Sequence, residues 1–273
     1  MSALEPLSEM KRSIDRNAGA SPVLKAMVVL EHVARAAGPV SLADLTEAAA
    51  LPKPTIHRLA RLLETAGLLR KDPITRRYLV GAALLDLGLH ALRSAPAHGE
   101  RRQRLEELSA RTGETVNLGV LSGSDVVYVD RVEASWPLRM DFKPGSRVPF
   151  HCTANGKLLA AWARPEVRER LLRPGVFPAF TPQTLTTRER LLREFAQIRR
   201  RGSSEDNEEF LAGVCCLAVP VRDRRGTVVA GLAVSAPSAR FNIERARAHL
   251  PDLQATAAAL GAQLQVERRG VIA

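Results

Sequence analysis

Between Leu51 and Pro54 the chain reads Leu-Pro-Lys-Pro, and no regular helix can run through that stretch. Pro52 and Pro54 lack the N–H that an interior helical turn uses, whereas Pro54 suits the first position of a new helix. Upstream, Ser41-Leu42-Ala43-Asp44 has the layout of a capping box with Asp in place of Glu, so a short helix starts there and ends at the prolines. Downstream, Ile56, Leu59, Ala60 and Leu63 recur at helical spacing, which predicts a helix with one face in a core. Its other face carries Lys53, Thr55, His57, Arg58 and Arg61. Ala66-Gly67 ends that helix, and Leu68 to Val80 reads as strand, turn, strand, with Asp72-Pro73-Ile74-Thr75 as the turn. Helix, break, helix and basic hairpin, in that order, make a winged helix-turn-helix.

Charge points to the partner of this unit. Between Lys53 and Arg77, seven cations (Lys53, Arg58, Arg61, Arg70, Lys71, Arg76, Arg77) stand against Glu64 and Asp72, a net +5. Such a cluster fits the phosphate backbone of double-stranded DNA. Thr55, His57, Arg58 and Arg61 would enter the major groove, with Lys53 beside them, and Arg76 or Arg77 would take the backbone or the minor groove. The plainer alternative is a set of solvated charges on a small helical domain. Apart from Tyr78, no aromatic residue is interleaved with the cations, which argues against a stacking platform for single strands.

A chain of 273 residues predicts two domains, and 45% hydrophobic with 25% charged residues is a soluble globular balance. No apolar run approaches the length of a membrane span and Met1 to Ala20 has no apolar core of a leader, so no membrane partner and a cytoplasmic location are expected. Cys152, Cys215 and Cys216 fit neither an even disulfide framework nor a CxxC metal spacing, so free thiols are expected. The net charge of +11 is spread along the whole chain, so the clustering, not the total, locates the DNA site.

Taken in order, residues 1–20 are expected to be a disordered tail and 21–80 the DNA-binding domain. The latter opens with a helix capped by Ser21-Pro22, with Val23, Leu24, Met27, Val28, Leu30, Val33 and Ala34 as its apolar stripe. Residues 81–99 read as a strongly apolar linker helix that pairs with its copy in a homodimer or packs on its own neighbour. Residues 100–273 mix helices with hairpin-linked strands, so the fold class is α+β. Strands are expected over Thr115–Leu121, Val126–Val132, Leu138–Phe142, Val214–Val221 and Val228–Ser235; helices are expected over Asn155–Ala163, Glu166–Leu172, Thr187–Arg201 and Ile243–Gln265, the last interrupted at Pro251.

His151-Cys152-Thr153-Ala154-Asn155-Gly156-Lys157 invites several chemistries. A Cys152 nucleophile with His151 as its base is disfavoured, because neighbours on extended chain point to opposite faces. A phosphate loop is disfavoured too: the upstream Gly is missing and Leu158 replaces the magnesium-binding hydroxyl. A zinc site from His151, Cys152 and Cys215 or Cys216 stays open, without diagnostic spacing. A pocket for a small anion fits better, with Asn155 near a helix N-terminus. The acidic run Glu205, Asp206, Glu208, Glu209 reads by composition as a solvated loop.

Five stretches together resemble the IclR-type transcriptional regulators: Leu51 to Leu59, Arg70-Lys71-Asp72-Pro73 with Arg77-Tyr78, Pro144-Gly145-Ser146, His151 to Lys157, and Gly213 to Pro220. The resemblance runs from about Pro22 to the final helix. It implies a bacterial regulator with an N-terminal winged helix-turn-helix and a C-terminal GAF-like α+β domain that binds a small organic effector. It also implies a homodimer or a tetramer built as a dimer of dimers, on a palindromic operator. The effector pocket it implies falls on Met140, Val148, Ala154, Asn155, Asp206, Cys216, Leu232 and Ser235. Pro54 stands where the family usually has Ser or Thr, and Asn155 where the residue is often small or apolar. The expectation is a ligand-responsive DNA-binding regulator of a catabolic or transport operon, with no catalytic residues, metal or cofactor, answering to an acidic or aromatic effector. One rival is an enzyme with an appended DNA-binding head and Cys152 or Cys216 as nucleophile; another is an oligomeric protein whose basic hairpin binds acidic partners.

Overall fold

The computed structural model describes residues 21–36, 38–94, 97–134 and 142–270. The expected tail over residues 1–20, the pocket residue Met140 and nearly all of the strand expected over Leu138–Phe142 lie outside these. The chain forms two compact units that divide between Leu92 and Arg93, each with its own apolar core.

In the first unit α1 (Pro22–Arg35) begins as expected, with Ser21 Oγ accepting from Val23 N–H at 3.3 Å. Its stripe is narrower than the periodicity suggested: Val28, Val29, Leu30 and Val33 are buried, but Val23 and Met27 are exposed. α2 (Leu42–Ala49) carries both bonds of the capping box: Ser41 Oγ accepts from Asp44 N–H at 3.1 Å, and an Asp44 oxygen accepts from Ser41 N–H at 2.9 Å. It ends on Ala50 in the left-handed region. α3 (Lys53–Thr65) follows with Pro52 as its N-cap, so Pro54 stands at the second helical position, not the first; the N–H it lacks is still one that no intrahelical bond needs. β1 (Leu69–Lys71) and β2 (Tyr78–Val80) pair antiparallel, and Val40 bridges to Tyr78, tying the wing back to the helices. Ile56, Leu59, Ala60 and Leu63 join Leu45, Leu69 and Tyr78 in the core. α4 (Ala82–Ser94) turns Leu84 toward that core and leaves Leu87 exposed.

The second unit is a six-stranded antiparallel sheet between two helical layers. Its strands are β3 (Thr115–Ser122), β4 (Asp125–Val132), β5 (Arg147–Pro149), β6 (Ser204–Asn207), β7 (Val214–Arg222) and β8 (Val228–Pro237), in the order β5-β4-β3-β8-β7-β6. α5 (Ala97–Thr112), α9 (Ile243–Ala248) and α10 (Leu250–Gly270) cover one face. α6 (Ala154–Trp162), backed by α7 (Pro165–Leu172) and α8 (Arg188–Arg201), covers the other. Alternation on each strand divides the cores: Leu217, Val219, Leu232 and Val234 face α5 and α10, while Ala218 and Ala233 face α6. Two strands escaped the sequence reading. β5 is only three residues long, and β6 holds Glu205 and Asp206, the first half of an acidic run whose composition suggests a solvated loop. That reading is corrected by burial: Ser204 and Asp206 are shut inside as β6 pairs with β7, and Glu209 is buried just beyond.

Candidate functional site

In the first unit the buried stripe of α3 fixes what the helix can offer outward. Lys53, His57, Arg58 and Arg61 are exposed, and Thr55 is half-buried beside them. In the wing, Asp72 Oδ1 accepts from Ile74 N–H at 3.0 Å and Thr75 N–H at 2.7 Å, closing a turn whose last step is Arg76 at φ 57°. Arg76 and Arg77 are exposed there, and Arg77 Nη1 reaches the Pro39 carbonyl at 3.5 Å. Lys71 Nζ lies 5.0 Å from the centre of the Tyr78 ring, so this cation is partly held by the wing itself.

The second unit holds a small cavity between the sheet and the start of α6. Its floor is mostly polar: Thr153, Asn155, Asp206, Cys216 and Ser235, with the methyl of Ala154 among them. Its wall is aromatic: the Tyr128 and Phe142 rings meet edge-on at 6.0 Å, and Phe142 stacks on Phe210 at 6.2 Å. Of the eight residues expected to form a pocket, Ala154, Asn155, Asp206, Cys216 and Ser235 come together here. Leu232 does not, because one step along β8 from Ala233 puts it in the core under α5 and α10. Val148 does not either: on β5 it packs with Val126, Tyr128 and Leu159, behind the aromatic wall. The aromatic wall was missed, since Tyr128, Phe142 and Phe210 come from three separate segments and share no sequence pattern.

Local chemistry aims α6 at this cavity. Thr153 Oγ1 accepts from Gly156 N–H at 3.2 Å and donates to the Pro149 carbonyl at 2.8 Å. Gly156 is obligatory, because a Cβ there would lie 2.4 Å from the Phe150 carbonyl oxygen. Helix geometry leaves the N–H groups of Ala154 and Asn155 without an intrahelical acceptor, and adds a partial positive charge. The Asn155 side chain is 3% exposed, and neither of its amide atoms has a hydrogen-bond partner. It lies over Gly119 and Gly231, paired across β3 and β8; a Cβ on Gly231 would come within 2.4 Å of Asn155 Oδ1.

Behind the floor is a buried charge cluster. Lys157, 1% exposed, forms an ion pair with Glu209, and Glu209 N–H donates to Asp206 Oδ1 at 2.8 Å. The loop after β6 is pinned by Thr181 and Thr184, whose hydroxyls donate to the Glu208 and Glu209 carbonyls at 2.6 Å. Burial raises Asp206 to about 7, against the pull of Lys157. Burial raises Glu209 as well. Lys157 is thereby committed to Glu209 and is not free to meet a phosphate, which removes the physical basis of a phosphate loop.

The thiols are poor nucleophiles. Burial pushes Cys152 and Cys216 far up and Cys215 to about 11, with the Asp206 carboxylate adding to each shift, so little thiolate forms near neutrality. His151 turns away from Cys152, with Nε2 at 2.9 Å from the Pro178 carbonyl and the ring stacked on Phe177. Among the described residues no three His, Cys, Asp or Glu side chains gather as metal ligands. Among them too, no helix is long and apolar enough to cross a membrane.

A winged helix-turn-helix with a basic outward face, carried on one chain with an α+β unit that encloses a polar and aromatic cavity, defines a transcriptional regulator. Residues 22–73 match the IclR helix-turn-helix domain, and residues 89–262 match the C-terminal domain of the bacterial transcriptional regulator IclR. The chain belongs to the IclR family. It is 40% identical over 234 residues to the probable transcriptional regulator SauR of Cupriavidus necator, covering 86% of this chain and 93% of that one. The crystal structure of Thermotoga maritima IclR superposes with a TM-score of 0.60 at 29% identity, over 89% of this chain and 98% of that one. An IclR homologue from Microbacterium hydrocarbonoxydans, solved in complex with 4-hydroxybenzoate, gives 0.57 at 27% identity, over 90% and 100%.

Proposed function

We propose that this regulator reads a palindromic operator as a homodimer, or as a dimer of dimers, and that a small acidic or aromatic molecule in the cavity of the second unit changes that reading. Its target is a catabolic or transport operon. The observation that carries the reading is α3: the apolar stripe is buried and Lys53, His57, Arg58 and Arg61 are left facing outward. Arg58 and Arg61 meet base edges, Thr55, His57 and Lys53 complete the major-groove contact, and Arg76 or Arg77 takes the backbone or the minor groove. The 4-hydroxybenzoate held by one relative supports a small-molecule ligand for Ala154, Asn155, Asp206, Cys216 and Ser235. The raised thiols and the regulatory character of the relatives favour a chain without catalysis.

Arg58→Ala is expected to weaken operator binding by about 1–3 kcal/mol and relax the sequence preference, whereas Arg77→Ala should lower affinity evenly and reduce the salt dependence by about one counterion. Fluorescence anisotropy on operator and scrambled duplexes at several salt concentrations separates the two. An Arg58→Ala protein that grips its operator as firmly as the parent overturns the assignment of α3. Coupling is read from the same assay with and without effector, and unchanged affinity and unchanged DNA bending would remove it.

A further inference from the structure

Asp206 lies in the cavity floor with the start of α6, and the two make opposite demands on a ligand. The unpaired N–H groups of Ala154 and Asn155, the positive end of the α6 dipole and the orphaned, buried Asn155 amide all favour an anionic oxygen. The Asp206 carboxyl, 3% exposed, repels one. Two carboxylates side by side on one buried floor disfavour each other's ionisation. Resting on the effector cavity proposed above, we propose that this site takes its effector as a carboxylate together with one proton, held between a ligand oxygen and Asp206.

The surroundings leave that proton nowhere better to go. Lys157 faces Asp206 from α6 but is paired with Glu209, and Glu209 brings a further negative charge from its loop. Cys216 from β7 sits directly across the strand pair, and its thiol is pushed far up, as is Cys152 ahead of α6. Tyr128 from β4 is pushed up as well. Asp206 changes charge near neutrality, at about 7. A carboxylate beside it raises that value further. Protonated, Asp206 becomes a donor to the ligand while its other oxygen still accepts from Glu209 N–H.

The test uses the full-length protein and paired probes: benzoate, 4-hydroxybenzoate, propionate and lactate, each against its neutral carboxamide. Binding is measured by calorimetry from pH 6 to 9 in buffers of different ionisation enthalpy. For a carboxylate that binds, affinity should fall about tenfold per pH unit above pH 7, with close to one proton taken up at pH 8 and fewer at pH 6. The carboxamides should show a flat profile and no uptake. Asp206→Asn, which keeps the acceptor for Glu209 N–H, should bind the carboxylates with a flat profile and more tightly than the parent at pH 8. A carboxylate bound by the parent with equal affinity across this range and no proton uptake overturns the proposal and leaves the effector cavity standing. Carboxamides bound better than every carboxylate at pH 6 overturn it too. No binding by any probe at any pH counts against the cavity reading itself, and the proposal falls with it.

Discussion

Asp206 shows how far a residue's chemistry departs from its name. In an unfolded chain it is an ordinary carboxyl; on β6, shut between Cys216 and the loop that carries Glu209, burial raises it to about 7. The folded state therefore keeps a proton that the unfolded state has already lost above pH 4. Stability from this group is fully present below the unfolded value of 3.8 and is lost as pH rises to about 7. Asp206→Asn removes that loss. The variant is expected to be more stable than the parent at pH 8, by an amount on the order of a few kcal/mol, with the gap closing near pH 4. Urea unfolding of the second unit at the two pH values measures it, and an equal gap at both would show that titration of Asp206 is not the cause. Asn155 is the complementary case: its amide is shut in without partners, so the fold pays for it and a ligand is what would satisfy it.

At the scale of elements, α6 is positioned by glycines as much as by packing. Gly156 lets the first turn lie on the Phe150 backbone, and the Gly119–Gly231 pair makes the dent in the sheet where the Asn155 amide rests. Gly231→Ala would drive a methyl into Asn155 Oδ1 and displace the amide. A loss of about 1–3 kcal/mol is expected, as for other overpacked sites. Adding Asn155→Ala should recover most of it, because the clashing atom is then gone; thermal melts of the two single variants and the double variant form the cycle. Additive losses would mean that the amide does not lie over Gly231. Both glycines are plain in the sequence, but strand glycines have many uses. Their role emerged only once β3 and β8 were seen to pair in that register beneath α6.

At the scale of the molecule, two cores in two units predict that unfolding is not one transition. Emptying the core under α3 with Ile56→Ala is expected to destabilise the first unit by about 2–5 kcal/mol. Scanning calorimetry should show one transition moving down while the other holds, and a bound carboxylate should raise only the transition that holds. A single transition that shifts as a whole in both experiments would show the units to be one cooperative body.

The DNA-binding unit is legible almost completely in the amino-acid sequence. Its signals are local: prolines that cannot sit inside a helix, a capping box within one turn, an apolar stripe at helical spacing, and cations left on the far face. Most strands and helices of the second unit were legible for the same reason. The cavity is legible only in the folded chain. Glu205 and Asp206 of the acidic run joined a strand, with Asp206 buried, because β7 was there to pair with them. Leu232 left the pocket because strand alternation sends neighbours to opposite cores. The aromatic wall of Tyr128, Phe142 and Phe210 formed from distant segments. Helical periodicity records itself within a few residues, whereas a cavity is made by long-range pairing and burial, which no short stretch of sequence contains.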